Sequence, residues 1–404
     1  MIKDRDIIVY GLQAWDINIA STCKYTAAEM SKNNRVLFVN PPMQRSSAIK
    51  HKNDPSIKKR LRINRGEEED LVKESKNLWI LYPKTVVESI NWIKSPSIFN
   101  FFNKINDKRY AKQVLKAAKK LNFKNYILFN DNSMITGYYF KELLKPSIFV
   151  YLLRDAVILV DYHKRHGTRL QPEIIKKADV AVANSDFFAN YCKETNPNSH
   201  MIGQGCDLTM YNDKDGSLKV PEDLIDIKKP IIGYVGFLTT IRLDIDVLVY
   251  IAEQRPKWSL VLVGPEDDDF KNSKLHKLDN VYFLGRKKPE ELASYIKGFD
   301  VALNPQKVNK ITDVNYPLKI DEYLAMGKPT VATKTTFMNY FKDHTYLPAT
   351  KEEYVIEIDK ALKENSEELR KERISYASGH TWENFVNKIY DQIEAIEKNA
   401  KTSH

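Results

Sequence analysis

Lys319 and Glu322 stand about one helical turn apart in the stretch Asn315-Tyr-Pro-Leu-Lys-Ile-Asp-Glu-Tyr-Leu-Ala-Met-Gly-Lys-Pro-Thr-Val-Ala-Thr333. A cation beside the free N–H groups of a helix start suits a phosphate. A carboxylate one turn further in can accept both hydroxyls of a ribose. Pro317 fits the first turn of such a helix, Gly327 its C-terminal end, and Pro329 leads into the next strand. The stretch therefore reads as a loop, a helix over 317–326 and a buried strand.

Other residue groups carry less chemistry. Asp267-Asp268-Asp269 resembles a carboxylate cluster for Mg²⁺, but it lies in a polar loop after a strand and is read as solvated. His51, His163, His166 and His344 show no ligand spacing with cysteine or carboxylate, so no metal is expected. Cys23, Cys192 and Cys206 lie too far apart for a disulfide framework and are read as reduced packing residues.

The elements that would position these groups follow from apolar runs. Strand candidates are 7–12, 35–40, 78–82, 126–130, 148–153, 179–184 and 200–202, and then 231–236, 259–263, 281–284, 300–304 and 329–332. Short apolar strands separated by helical stretches imply parallel sheets covered on both faces. Two such series in 404 residues imply two doubly wound, Rossmann-like α/β domains. We place the first over 1–206, a linker rich in Asp, Gly and Pro over 207–229, and the second over 230–381. The tail 382–400 carries Trp382, Phe385, Val386, Ile389, Tyr390, Ile393 and Ile396 at helical spacing, so one face of it should be packed.

Composition is globular, at 43% hydrophobic and 29% charged. There is no signal-peptide pattern and no apolar run near the roughly 20 residues of a spanning helix, so a cytoplasmic protein, soluble or peripheral, is expected. The net charge of +10 is unevenly placed. Arg45, Lys50, Lys52, Lys58, Lys59, Arg60, Arg62 and Arg65 interleave with Ile49, Ile57, Leu61 and Ile63, and Trp92, Ile98, Phe99, Phe101 and Phe102 are flanked by Lys94, Lys104, Lys108 and Arg109. Such a pattern suits contact with anionic lipid headgroups. Equally, it fits a mobile basic loop beside a core-facing aromatic helix. Nucleic acid is disfavoured because no recognition motif accompanies the charge.

Several motifs add a family resemblance. Ile231-Ile-Gly-Tyr-Val-Gly236, Leu260-Val-Leu-Val-Gly-Pro265, Val281-Tyr-Phe-Leu-Gly-Arg286, Glu290-Glu-Leu-Ala-Ser-Tyr295 and Asp300-Val-Ala-Leu-Asn-Pro305 precede the 315–333 stretch. Val36-Leu-Phe-Val-Asn-Pro-Pro42, Ala178-Asp-Val-Ala-Val-Ala-Asn-Ser185 and His200-Met-Ile-Gly-Gln-Gly-Cys-Asp207 occupy the first half. Together they resemble the retaining GT-B glycosyltransferases of family four, closest to a cell-surface polysaccharide branch that includes teichuronic-acid glycosyltransferases.

That resemblance implies two domains facing each other across a cleft, with the tail helix crossing back to the first. It also implies transfer of a sugar from a nucleoside diphosphate sugar to a saccharide or lipid-linked acceptor, with no cofactor or metal. Glu322 would bind the ribose, and Pro317, Leu318 and Lys319 would cradle the diphosphate over a loop at Gly236 and Phe237. Arg242 and Arg286 are the further cations. Asp155 and Asp16, with Arg154, would lie on the acceptor side. Many relatives carry a second glutamate where this chain has Val314, beside Asp313. Two alternatives remain at this level, a sugar-nucleotide epimerase and a non-catalytic sugar-nucleotide-binding subunit.

Overall fold

The computed structural model describes the chain except for residues 1, 18–20, 214, 311, 403 and 404. It divides into two compact units, Met1–Gly203 with Trp382–His404, and Gln204–Thr381.

The first unit contains β1 (Asp6–Gly11), β2 (Arg35–Val39), β3 (Met43–Gln44), β4 (Leu71–Ser75), β5 (Leu78–Leu81), β6 (Val86–Val87), β7 (Ile127–Asp131), β8 (Ile148–Leu153), β9 (Val180–Ala183) and β10 (Ser199–Met201). Eight of them form a sheet in the order β10-β9-β8-β7-β1-β2-β5-β4. All neighbours are parallel except β4, which runs antiparallel to β5. Every residue of β1 and β8 is buried, as expected of strands covered on both faces. β4 differs, because Val72, Lys73, Glu74 and Ser75 are all exposed; charged residues on an edge strand discourage pairing with another chain. β3 and β6 pair separately.

The basic stretch 45–65 is helical, not a mobile loop. It forms Arg45–Lys50 and Pro55–Arg65, the second begun by Asp54, which accepts from the Ser56 N–H, and closed by Gly66 at φ 81°. Much of its charge is already paired. Arg45 bonds Glu88, Arg62 bonds Glu68, Arg65 bonds Glu67, and Arg60 is buried with Nη1 2.8 Å from the Pro41 carbonyl. Lys50, Lys52 and Lys58 remain on the surface. Nor is the aromatic helix Pro96–Lys120 wholly core-facing, since Phe99 is buried while Ile98, Phe101 and Phe102 are exposed. No helix among the described residues is long and apolar enough to cross a membrane.

Asp107 of that helix is fully enclosed and accepts the backbone N–H groups of Gly137 at 2.9 Å and Tyr139 at 3.0 Å. Burial raises its carboxyl to about 7, although those two bonds and Lys177 oppose the shift. The folded chain therefore holds a proton that the unfolded chain releases near pH 4. Stability from this group is full below that pH and is lost as the pH rises through 7. Asp107→Asn should flatten the fall in melting temperature between pH 4.5 and 7.5, and an unchanged slope would show that other groups set it.

The helix Trp382–Thr402 closes the first unit's core. Phe385, Val386, Ile389, Tyr390 and Ile393 share one buried cluster with Ile7, Val9, Val36, Phe38 and Ile127. The Tyr390 hydroxyl accepts from Asn34 Nδ2 at 2.9 Å, and Trp382 stacks on Tyr25.

The second unit contains β11 (Ile231–Val235), β12 (Ser259–Val263), β13 (Val281–Gly285), β14 (Val301–Asn304) and β15 (Thr330–Ala332), all parallel in the order β13-β12-β11-β14-β15. Cys23, Cys192 and Cys206 are free and buried.

Candidate active site

In the second unit the strand order reverses at β11 and β14. Loops leaving those strands diverge, and a doubly wound sheet binds its ligand in the crevice so formed. The chain leaves β11 through Gly236 at φ +145°, where a Cβ would lie 2.8 Å from Lys319 Nζ and 2.9 Å from the Tyr234 hydroxyl. Gly264, after β12, is tighter still, since its Cβ would fall 1.8 Å from the Gly236 carbonyl oxygen. Two glycines thus let backbone, lysine and the neighbouring loop meet. Phe237, the next residue, is exposed.

The helix expected over 317–326 runs Leu318–Ala325, with Pro317 at its N-cap and no side-chain cap. Gly327 ends it at φ 69°. Its start is held from below. Asp321 is completely buried and accepts from the Tyr316 hydroxyl at 2.6 Å and pairs with His380 Nδ1 at 2.7 Å. An uncapped start of this kind leaves N–H groups for a ligand. Lys319 lies half-buried with Nζ 5.1 Å from the Tyr234 ring centroid. Glu322, one turn on and half-buried, has its carboxyl raised by loss of hydration, a shift opposed by the Lys319 charge and by a hydrogen bond from Tyr211. Tyr211 was not singled out by sequence, because it lies 111 positions before Glu322 in an irregular stretch.

The remaining cations separate. Arg242 is exposed on the loop after β11, and its carbonyl accepts the Lys307 N–H at 2.8 Å, which joins it to the loop after β14 at the reversal point. Arg286 follows β13, the edge strand, two strands away from β11. With strands about 4.8 Å apart, it stands at the rim. Val314 is buried, and Asp313 is engaged by the N–H and hydroxyl of Thr336, both at 2.8 Å. Among the described residues, the carboxylate next to this place is thus already engaged by Thr336. Asp267 likewise has a structural task, accepting from Phe270 and Thr240 N–H groups. Among the described residues no cluster of three His, Cys, Asp or Glu could hold a metal ion.

The sheet of the first unit reverses at β1 and β7. Gly11 ends β1, and a Cβ there would be 2.8 Å from the Asp131 carbonyl oxygen. Arg154, after β8, clasps the buried Asp131 through Nε at 2.7 Å and Nη2 at 3.1 Å, reaches Gln13 with Nη2 at 3.2 Å, and bonds Asp155 with Nη1. Asp155 keeps 43% of its side chain exposed, so the cluster presents a carboxylate at a strand end. Asp16 is differently placed, paired with Lys59 at 3.7 Å and Arg60 at 3.5 Å. The two aspartates anticipated together thus belong to separate ion-pair clusters. Asp131 escaped notice because only the β7–β8 pairing brings it to Arg154.

A family model described as Glycosyl transferases group 1 matches residues 229–364. Those residues form a glycosyl transferases group 1 domain. It contains β11 to β15, and Gly236, Arg242, Arg286, Lys319 and Glu322 all lie inside it. The chain is 24% identical over 256 residues to the putative teichuronic acid biosynthesis glycosyltransferase TuaH of Bacillus subtilis (strain 168), covering 60% of this chain and 63% of that one. It therefore spans just under two thirds of that relative. Among solved structures, sucrose-phosphate synthase of Thermosynechococcus elongatus superposes with TM-score 0.64 at 16% identity, over 97% of this chain and 99% of the other. HepE of Anabaena, solved with UDP, gives 0.65 at 15% over 96% and 100%. The group 1 domain thus sits in a chain with the GT-B fold.

Proposed function

We propose that this chain transfers a glycosyl group from a nucleoside diphosphate sugar, held by the group 1 domain, to an acceptor hydroxyl held by the first unit, with retention of configuration. The observation that carries this reading is the convergence of Gly236, Lys319 and Glu322 at the strand reversal of the second unit. Lys319 and the start of Leu318–Ala325 supply positive potential where a departing diphosphate gathers charge, so the chain's own groups do the work that a metal ion would otherwise do. Pro317 and Leu318 shape the cradle and Arg242 adds a second cation from the facing loop. Arg286, at the rim, acts at longer range. Asp155, held by Arg154, serves the acceptor side, whereas Asp16 fixes the basic helix 55–65.

The name of the Bacillus relative favours a role in cell-surface polysaccharide synthesis. Peripheral contact with an anionic membrane is supported by Trp92, exposed to 73%, and Phe101, exposed to 63%, near Lys94 and Lys104 in sequence.

Titration calorimetry with a panel of nucleoside diphosphate sugars tests the reading, and absence of binding by every member would overturn it. Glu322→Gln should weaken a bound nucleoside and its diphosphate to the same degree. Losing a charged acceptor costs about 1.5–3 kcal/mol, roughly 10- to 150-fold in affinity. Unchanged affinity in a folded variant would remove Glu322 from the ribose.

A further inference from the structure

The chain enters its second unit at Gln204 and leaves it at Thr381. The entering and the leaving segment are both bonded to the helix Leu318–Ala325, on adjacent carboxylates.

The leaving segment reaches Asp321. His380 Nδ1 pairs with its Oδ1 at 2.7 Å, the Tyr316 hydroxyl donates to Oδ2 at 2.6 Å, and the Tyr340 hydroxyl lies 3.2 Å from His380 Nε2. Both oxygens of Asp321 are committed and none of its side chain is exposed, so it has nothing to offer a ligand. Its task is to hold the helix start, because a buried carboxylate that loses its partner is strongly destabilising.

The entering segment reaches Glu322. Tyr211 is buried, and its hydroxyl donates to the Glu322 carboxylate. Burial and the Glu322 charge raise the pKa of that hydroxyl, so it keeps its proton for the bond. A carboxylate has about four acceptor positions, and Glu322 can take Tyr211 and two ribose hydroxyls together. Residues 207–213 form neither helix nor strand, which leaves side-chain bonds to fix Tyr211. The two segments are also tied to each other, since the Cys206 N–H donates to the His380 carbonyl at 2.8 Å.

We propose that Tyr211 and His380 are positioning residues of the donor site, and that through them the segments entering and leaving the second unit respond to its occupant. Tyr211 sets the Glu322 carboxylate for the ribose. His380, acting through Asp321, sets the helix start for the diphosphate. A bound donor fixes the same two bonds in return, because coupling between sites is reciprocal. This rests on the donor reading and adds a regulation to it: filling the ribose site orders 204–211 and 380–381.

UDP, dTDP, GDP and ADP should each be titrated into the full chain, and the tightest binder serves as the probe. At saturation, hydrogen exchange across 204–211 and 376–381 should slow at least fivefold. Tyr211→Phe should abolish the slowing at 204–211 and weaken the probe about tenfold. Where Glu322→Ala is already present, the same change should cost less than about twofold, because the two act as one unit. His380→Leu should weaken the probe, and His380→Asn, whose amide N–H takes the place of Nδ1–H, should restore it. Equal losses from Tyr211→Phe in both backgrounds would overturn its action through Glu322, and equal losses from His380→Leu and His380→Asn would overturn the role of His380. If the probe binds while exchange in both segments is unchanged, the coupling is overturned and the donor reading stands. If none of the four diphosphates binds, the donor reading falls and this proposal falls with it.

Discussion

Deleting residues 382–404 should abolish the folded first unit, leaving a chain that precipitates or exposes apolar surface to a hydrophobic dye. Phe385, Val386, Ile389, Tyr390 and Ile393 are each no more than 2% exposed. At about 1.5–3 kcal/mol per buried side chain, the five together contribute roughly 8–15 kcal/mol, as much as the whole net stability of an ordinary domain, about 5–15 kcal/mol. The loss would also remove Tyr390 from Asn34 Nδ2 and Glu397 from Arg5. Differential scanning calorimetry of the full chain and the truncated one decides the matter. Retention of the first unit's transition within a few degrees would show that the helix is an accessory.

The second large effect is expected at Lys319. Lys319→Ala should leave the melting temperature near its original value, because the side chain is half-buried and its contact with the Tyr234 ring, at 5.1 Å, contributes only about 0.5–1 kcal/mol. Turnover should fall roughly 10²- to 10³-fold, the usual consequence of removing one group that stabilises developing negative charge. Binding should be selective as well, with nucleoside affinity preserved and diphosphate affinity reduced. A further readout distinguishes charge from shape. Lys319 opposes the upward shift of Glu322, so its removal should raise the Glu322 carboxyl further and move the low-pH loss of nucleoside binding to higher pH. Equal loss of nucleoside and diphosphate affinity would mean that Lys319 acts through the local structure alone.

Most strands were legible because their apolar runs are buried on both faces, as in Ile148–Leu153 and Ser259–Val263, whose bounds match the expectation. β4 was not, since Lys73-Glu74-Ser75 carries no apolar period and is a strand only by pairing with β5. In 45–65 the signals Asp54-Pro55 and Gly66 were present, yet the density of basic residues obscured the apolar face formed around Ile63. The candidate site divides along the same line. Lys319 and Glu322 are close in sequence and could be read together. Tyr211 beside Glu322, Asp131 beside Arg154, and Thr336 beside Asp313 are long-range pairings that only the folded sheet order creates. Chemistry concentrated on one helix was visible, and its support was not.

The two ends of the second unit meet, because the Cys206 N–H donates to the His380 carbonyl at 2.8 Å and Cys206 bridges Thr381 in parallel. A unit whose ends are neighbours is topologically an insertion within its host. During synthesis the residues from Gln204 to Thr381 emerge as an uninterrupted block and can reach their native packing before the last helix exists. The helix Trp382–Thr402, which completes the core of the first unit, follows the whole of the second unit in sequence, so the second unit can be packed while the first still lacks that helix. The first unit's exposed strands await the helix through the synthesis of everything between, and the charged face of β4 guards one edge during that interval.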